Sequence, residues 1–246
     1  MFSKATLAFL GEIAANNNRA WFEQNKPRYE ALVREPALDF IDAMAPALQD
    51  FAPHFRADLR KVGGSLMRVY RDTRFARDKT PYKTNIGIQF RHKLGKDVHA
   101  PGFYVHISTA ESFLAAGCWH PAADALGRIR DLVAQQPEQW FAARDDERFA
   151  AHWMLDGSNL IRPPRGYAAD HPAIDDLKRK DFIALATAVA GRSDRPALAR
   201  TGFGAVCRGG AAHEVSVRRA RSAVLIGEAN QRQPQRFALA FRRSIL

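Results

Sequence analysis

The chain has 246 residues, 46% of them hydrophobic and 26% charged, a globular composition that argues against disorder, collagen and coiled coil. Its formal charge of +11 is uneven: residues 1–182 carry 26 Lys+Arg against 23 Asp+Glu, whereas residues 183–246 carry 11 arginines against 3 carboxylates. A basic chain usually points to nucleic acid, but here most of the excess belongs to the tail.

Leu7, Leu10 and Ile13 fall at helical spacing and predict a first helix that stops at Asn16-Asn17-Asn18, where a new helix is capped. This N-terminal stretch reads as neither a secretory leader nor a membrane span. From Trp21 the apolar positions Phe22, Tyr29, Leu32, Val33, Phe40, Ile41, Met44 and Leu48 continue a helical stripe, with bends expected before Pro27 and near Pro36. The period then switches to two. SLMRVYR between Gly64 and Asp72, TNIGIQFR from Thr84, GFYVHIS from Gly102 and the less regular SFLAAGCW from Ser112 predict a small antiparallel meander. Alternation sends Met67, Val69, Ile86, Ile88, Phe90, Phe103, Val105 and Ile107 to the core. Arg68, Tyr70, Asn85, Gln89, Arg91, Tyr104 and His106 go to the opposite face.

Beyond Pro121 a helical stripe returns through Leu126, Ile129, Leu132 and Val133. Later segments carry Trp140, Phe141 and Phe149, RPPRGY reads as a rigid loop, and a helix is expected from Pro172 to about Ile183. Strands flanked by N-terminal and C-terminal helices define an α+β class, with residues 1–183 as a single domain. Residues 184–246 are a different text, rich in Ala, Gly and Arg and without lysine. They fit either a partly disordered basic arm or a C-terminus read out of frame from a GC-rich gene. The second is favoured, because a selected basic arm mixes lysine with arginine.

The motifs of a Walker ATPase, a zincin and an α/β-hydrolase are absent. Cys118 and Cys207 lie in no Cys-x-x-Cys, which leaves no basis for a disulfide framework or an iron–sulfur cluster and fits a reducing cytoplasm. The densest chemistry is Arg68 to Lys83, six cations against Asp72 and Asp78. Guanidinium forks and ammonium groups on one loop match phosphate or carboxylate oxygens; the competing reading is an Arg–Asp lattice that pins the loop. His106 on the polar face is the candidate proton-transfer group. In GCWHP, Trp119 and His120 are placed to wall a pocket, or to pack and finish a turn. His92, Asp97, His99, His106 and His120 are concentrated, but they lack helical pair spacing and share a lysine-rich loop, so no metal and no other cofactor is expected.

Taken together, NNNRAWFEQNKPRYEALVREP, KVGGSLMRVYRDTRFARDKTPYKTNIGIQFRH, APGFYVHIS, GCWHP and HPAIDDLKRKDF resemble the bacterial and fungal family called domain of unknown function 2461, over roughly residues 5–183. The resemblance implies a protein of about this size and brings no catalytic residue or activity. Members usually continue past KRKDF with an ordinary helical C-terminus, from which this chain departs near Ala184. The reading that follows is a small anionic, phosphorylated ligand bound by Arg68, Arg71, Arg74, Lys79 and Lys83. Tyr70, Tyr82, Tyr104 and Trp119 would shape the site, and His106 would act as the catalytic group in any reaction. The alternative is a nucleic-acid-binding module that uses the same run and the tail.

Overall fold

Ser3 caps helix α1 (Lys4–Ala15) through a capping box with Thr6, and Asn18 caps α2 (Arg19–Tyr29) by accepting from the Trp21 amide at 3.0 Å. The computed structural model describes residues 2–95 and 99–187 of the chain. The expected bends at Pro27 and Pro36 do not break the helix. Pro27 stays inside α2, a π-helical turn follows at Glu30–Arg34, and Pro36 opens α3 (Glu35–Phe51). A proline's missing amide proton costs least at the start of a helical segment, where Pro36 sits, and the wider π turn absorbs the change of register.

Strands β1 (Asn85–Arg91), β2 (Gly102–Ser108) and β3 (Ser112–Cys118) form the expected antiparallel meander. Helices α4 (Ala123–Gln135), α5 (Pro137–Arg144) and α6 (Glu147–Ala150) follow, then β4 (Met154–Asp156), α7 (Ile174–Leu177) and β5 (Phe182–Thr187). The sheet order is β1-β2-β3-β5-β4, every neighbouring pair antiparallel. The class is α+β.

Two expected elements differ. SLMRVYR is not a strand: it touches the sheet through isolated bridges, Leu66 to Ile88 and Tyr70 to Tyr82. Without a continuous ladder its faces do not alternate. Leu66 and Val69 pack on the core, while Met67 lies across the sheet, its sulfur 3.1 Å from where a Cβ on Gly87 would stand. The helix expected from Pro172 to Ile183 is a single turn followed by β5. Ile174 and Leu177 carry the helical spacing, but Phe182, Ala184 and Ala186 are buried at a period of two. The boundary drawn between residues 183 and 184 therefore falls inside β5; residues 188–246 lie outside the described part.

The core side of the sheet presents Ile86, Ile88, Phe90, Phe103, Val105, Ile107, Leu114, Ala116, Ala184 and Ala186 to α1 and α3, where Phe9, Leu10, Phe40, Ile41 and Met44 are buried. Each large apolar side chain so buried contributes roughly 1.5–3 kcal/mol. Phe182 joins a second cluster with Ile129, Val133, Trp140 and Leu177. It shares parity with Ala184 and Ala186, so both clusters lie on one side of the sheet. Beneath this cluster the carboxylate of Asp176 is clamped by Arg144 at 2.7 Å and Arg179 at 2.9 Å.

Cys118 ends β3 on the buried side, where loss of hydration pushes its thiol up to about 12. In a Cys207→Ser variant, Cys118 should stay unreactive to a thiol reagent at neutral pH and react fully once guanidinium unfolds the chain. Rapid labelling of the folded variant would contradict this burial.

Candidate functional site

The side of the sheet away from the helices holds a cavity of about 590 Å³, within the range of small-molecule sites. Its floor follows from register. Gln89, Tyr104, Ala115 and Leu185 stand opposite one another across four strands, and Gly102, Gly117, Ile183 and Asp156 form the next row. Alternation puts both rows on one face. Ala115 and Gly117 keep the middle of the floor low, while Met67, Tyr104, Phe113, Ile183 and Leu185 raise it around them, so the face is a shallow trough.

One end of the trough is polar. Asp181, only 3% exposed, accepts hydrogen bonds from the His120 amide at 2.8 Å, the Ser158 amide at 3.2 Å and the Ser158 hydroxyl at 3.1 Å. His120 Nδ1 lies 3.3 Å from the same carboxylate, and its side chain is 51% exposed to the cavity mouth. With Nδ1 turned to the carboxylate, Nε2 is the ring nitrogen left for a ligand.

Three unusual backbone positions surround this carboxylate. His120 has φ +45°, Gly117 +130° and Gly157 +126°. A Cβ on Gly157 would stand 2.9 Å from the Asp181 side chain, and one on Gly117 would fall 2.6 Å from Ile183 Cα. A non-glycine residue at positive φ costs energy that its surroundings must offset, and here the amide bond to Asp181 holds His120 in place. Trp119, half exposed, extends the wall: its ring stacks on His99 at 5.7 Å, and its carbonyl accepts from His99 Nδ1 at 3.2 Å. The charged groups lining the cavity among the described residues are carboxylates, Asp156 and Asp181; no lysine or arginine lines it.

The residues singled out from sequence do not converge on one place. Tyr104 and Trp119 line the trough. Arg71, Arg74 and Lys79 belong to a lattice inside their own loop. Arg71 donates to Asp78 and Thr80, Arg74 bonds Asp72 at 3.0 and 2.7 Å, and the Lys79 ammonium donates to the Thr73 carbonyl at 2.9 Å. The guanidinium partners hold Asp72 and Asp78 down to about 2. Tyr82 is in the core, stacked on Phe22 with centroids 4.0 Å apart, and Tyr70 lies 5.4 Å from its ring. Among the described residues the side chains of Arg68 and Lys83 make no hydrogen bond or close ion pair; the Lys83 amide donates to the Val69 carbonyl at 2.7 Å, and the Arg68 charge acts on Asp72. Burial, then the nearby Arg68 charge, lowers the proton affinity of Lys83.

His106 stands apart from the trough's polar end. Its Nδ1 is 3.1 Å from the Tyr104 hydroxyl and 3.4 Å from Asn85 Nδ2, and its ring stacks on Phe113 at 4.7 Å. The Asn85 amide can only donate, so Nδ1 accepts and the ring proton sits on Nε2. Burial lowers the histidine's proton affinity against an opposing Glu111 charge, and burial also lifts the Tyr104 hydroxyl to about 12. Both groups are neutral at pH 7.

Sequence reasoning placed His120 in a pocket wall but did not reach Asp156, Ser158 or Asp181. Asp181 meets His120 from sixty-one positions away. The chain belongs to the family described as Conserved hypothetical protein (DUF2461), whose model matches residues 5–199, beyond the end of β5. No curated protein and no solved structure matches it.

Proposed function

We propose that the protein binds a small, largely apolar molecule in the trough, with the molecule's polar end against His120 beside Asp181. The carrying observation is the cavity of about 590 Å³ whose apolar floor meets converging polar groups at one end. An uncovered sheet face with a continuous apolar trough is unfavourable in water unless something occupies it. The lining suits a ligand that is neutral at its body and carries a hydroxyl or amide group for His120 Nε2.

A second reading keeps the anion. Arg68 and Lys83 are like charges near one another, and desolvation of Lys83 makes that arrangement costly until an anion arrives. A phosphate-bearing molecule there would lie toward the end of the sheet that carries Asn85 and His106, and His106 Nε2–H would be the proton-transfer group of any reaction at that end.

One thermal-shift series separates the readings. At about ten times its Kd a ligand adds about 1.4 kcal/mol, a rise of roughly 3–5 °C for a domain this size. Neutral apolar fragments such as indole should raise the melting temperature of the native chain and not of Ala115→Leu, whose added side chain fills the floor. Inorganic phosphate and sugar phosphates test the second reading, lost in Arg68→Ala/Lys83→Ala. No rise with any neutral fragment, or an equal rise in Ala115→Leu, would count against the trough.

A further inference from the structure

A second concave surface lies on the other side of the Leu66–Tyr70 segment, where a groove of about 190 Å³ separates it from α2, the π turn and α3. Its charged lining is Lys26, Arg34, Arg60, Lys61 and Arg68 against the single carboxylate of Glu30, and Tyr29 and Tyr70 supply aromatic walls. Three of these cations have partners: Lys26 with Glu23, Arg34 with Glu30 and Arg60 with Asp58. Lys61 and Arg68 make no close ion pair among the described residues, and the Arg68 charge acts on Asp72.

The groove runs on, through Tyr70, into the hairpin that carries the Arg–Asp lattice. That lattice has a consequence for Phe75, the hairpin's tip. Arg71, Asp78, Thr80, Asp72, Arg74 and Lys79 lock the loop by contacts among themselves, so the ring cannot fold back, and Phe75 is 95% exposed. The Arg74 guanidinium lies 5.9 Å from its ring centroid. Tyr70, also exposed, is five residues away, at most about 18 Å along the chain.

Groove and hairpin together hold ten cations: the five above with Arg71, Arg74, Arg77, Lys79 and Lys83. Glu23, Glu30, Asp58, Asp72 and Asp78 oppose them. The patch is net +5, whereas all of residues 1–182 sum to +3. The remainder of residues 1–182 is therefore net negative, and the basic excess of that stretch belongs to the groove and the loop beside it.

We infer that this face binds single-stranded nucleic acid, the groove taking backbone phosphates at Lys61 and Arg68 and Phe75, with Tyr70, stacking on bases. A concave basic groove continuous with displayed aromatic rings is the pairing such strands require. A duplex hides the faces of its bases, and a bilayer is flat and holds proteins by several apolar side chains or by two signals, where this tip offers one ring. A compact anion would use only part of a surface this long. The inference shares Arg68 with the anion reading and is independent of the trough.

The test is fluorescence anisotropy of a labelled oligo-dT strand, across a salt series, with the full chain. Each phosphate neutralised on a single strand contributes a log–log slope of about 0.7. Lys61→Ala/Arg68→Ala should therefore flatten the slope by about 1.4 and weaken binding at low salt. Phe75→Ala should weaken binding about tenfold with the slope unchanged, and Phe75→Trp should restore it. All three positions are exposed, so unchanged melting temperatures will show that the variants fold. Binding untouched by these substitutions would assign it to the arginines of residues 188–246 and overturn the inference. So would equal or tighter binding of duplex, binding of anionic phosphatidylserine vesicles in place of oligonucleotide, or a response to inorganic phosphate with none to oligonucleotide.

Discussion

Asp181→Ala lowers the melting temperature by about 6–12 °C. The substitution removes the acceptor for the His120 amide, the Ser158 amide and the Ser158 hydroxyl at once. An orphaned buried donor costs about 1–3 kcal/mol. The adjoining cavity lets water serve some of them, so the net loss is about 3 kcal/mol, and a domain of this length loses roughly 2–4 °C per kcal/mol. His120 then also loses what holds it at φ +45°. Asp181→Asn keeps one acceptor oxygen but turns an amide donor toward other donors, and should fall between the two. Calorimetry of the three chains checks the order; a loss below about 1 kcal/mol for Asp181→Ala would mean that the carboxylate is not what holds the polar end together.

Gly117→Ala is expected to be at least as damaging, about 3 kcal/mol or more, for a steric reason. The new methyl would land on the Phe182 carbonyl oxygen and 2.6 Å from Ile183 Cα. Both obstacles are backbone of the neighbouring strand and cannot rotate away, so β3 and β5 must part. The glycine's φ of +130° is in addition a region that alanine rarely adopts. Gly127, inside α4, supplies the contrast: nothing lies within 4 Å of its added Cβ, and Gly127→Ala should stabilise the chain by about 0.5–1 kcal/mol. Urea unfolding of both variants reads the difference. Equal small effects would show that β3 and β5 are not packed as closely as described.

Sequence periodicity made the scaffold legible. The Asn18 cap, the helical stripe through Phe40, Ile41 and Met44, and the alternation in NIGIQFR and GFYVHIS each report a local rule, and each is realised. SLMRVYR alternates as well as either strand, yet only bridges to the sheet, because alternation does not reveal whether a partner edge continues alongside. β5 was hidden for the opposite reason: Ile174, Leu177 and Phe182 mimic a helical face, and Ala184 and Ala186 are too small to announce a strand.

The site was legible only in part. Both readings of the Arg68–Lys83 run rest on charges visible in the sequence, and Asp72 and Asp78 decide for the lattice at Arg74 and Arg71. The trough depends instead on cross-strand register, which sets Ala115 beside Tyr104 and Leu185, and on Asp181 closing over His120 from a distant loop. Neither relation has a local signature. Gly117 and Gly157 were the one available hint, since a glycine at a strand end or tight turn marks close backbone approach.

The most direct measurement is methyl NMR of the full chain, with isotope-labelled alanine, isoleucine and leucine, titrated with the neutral fragment that raises the melting temperature most. Resonances of Ala115, Ile183 and Leu185 should move together and saturate with one Kd, while Ile88 and Ile107 on the helix-covered face stay still. Shifts confined to methyls far from that row, or no saturable shift at any of the three, would contradict a ligand seated across the open strands.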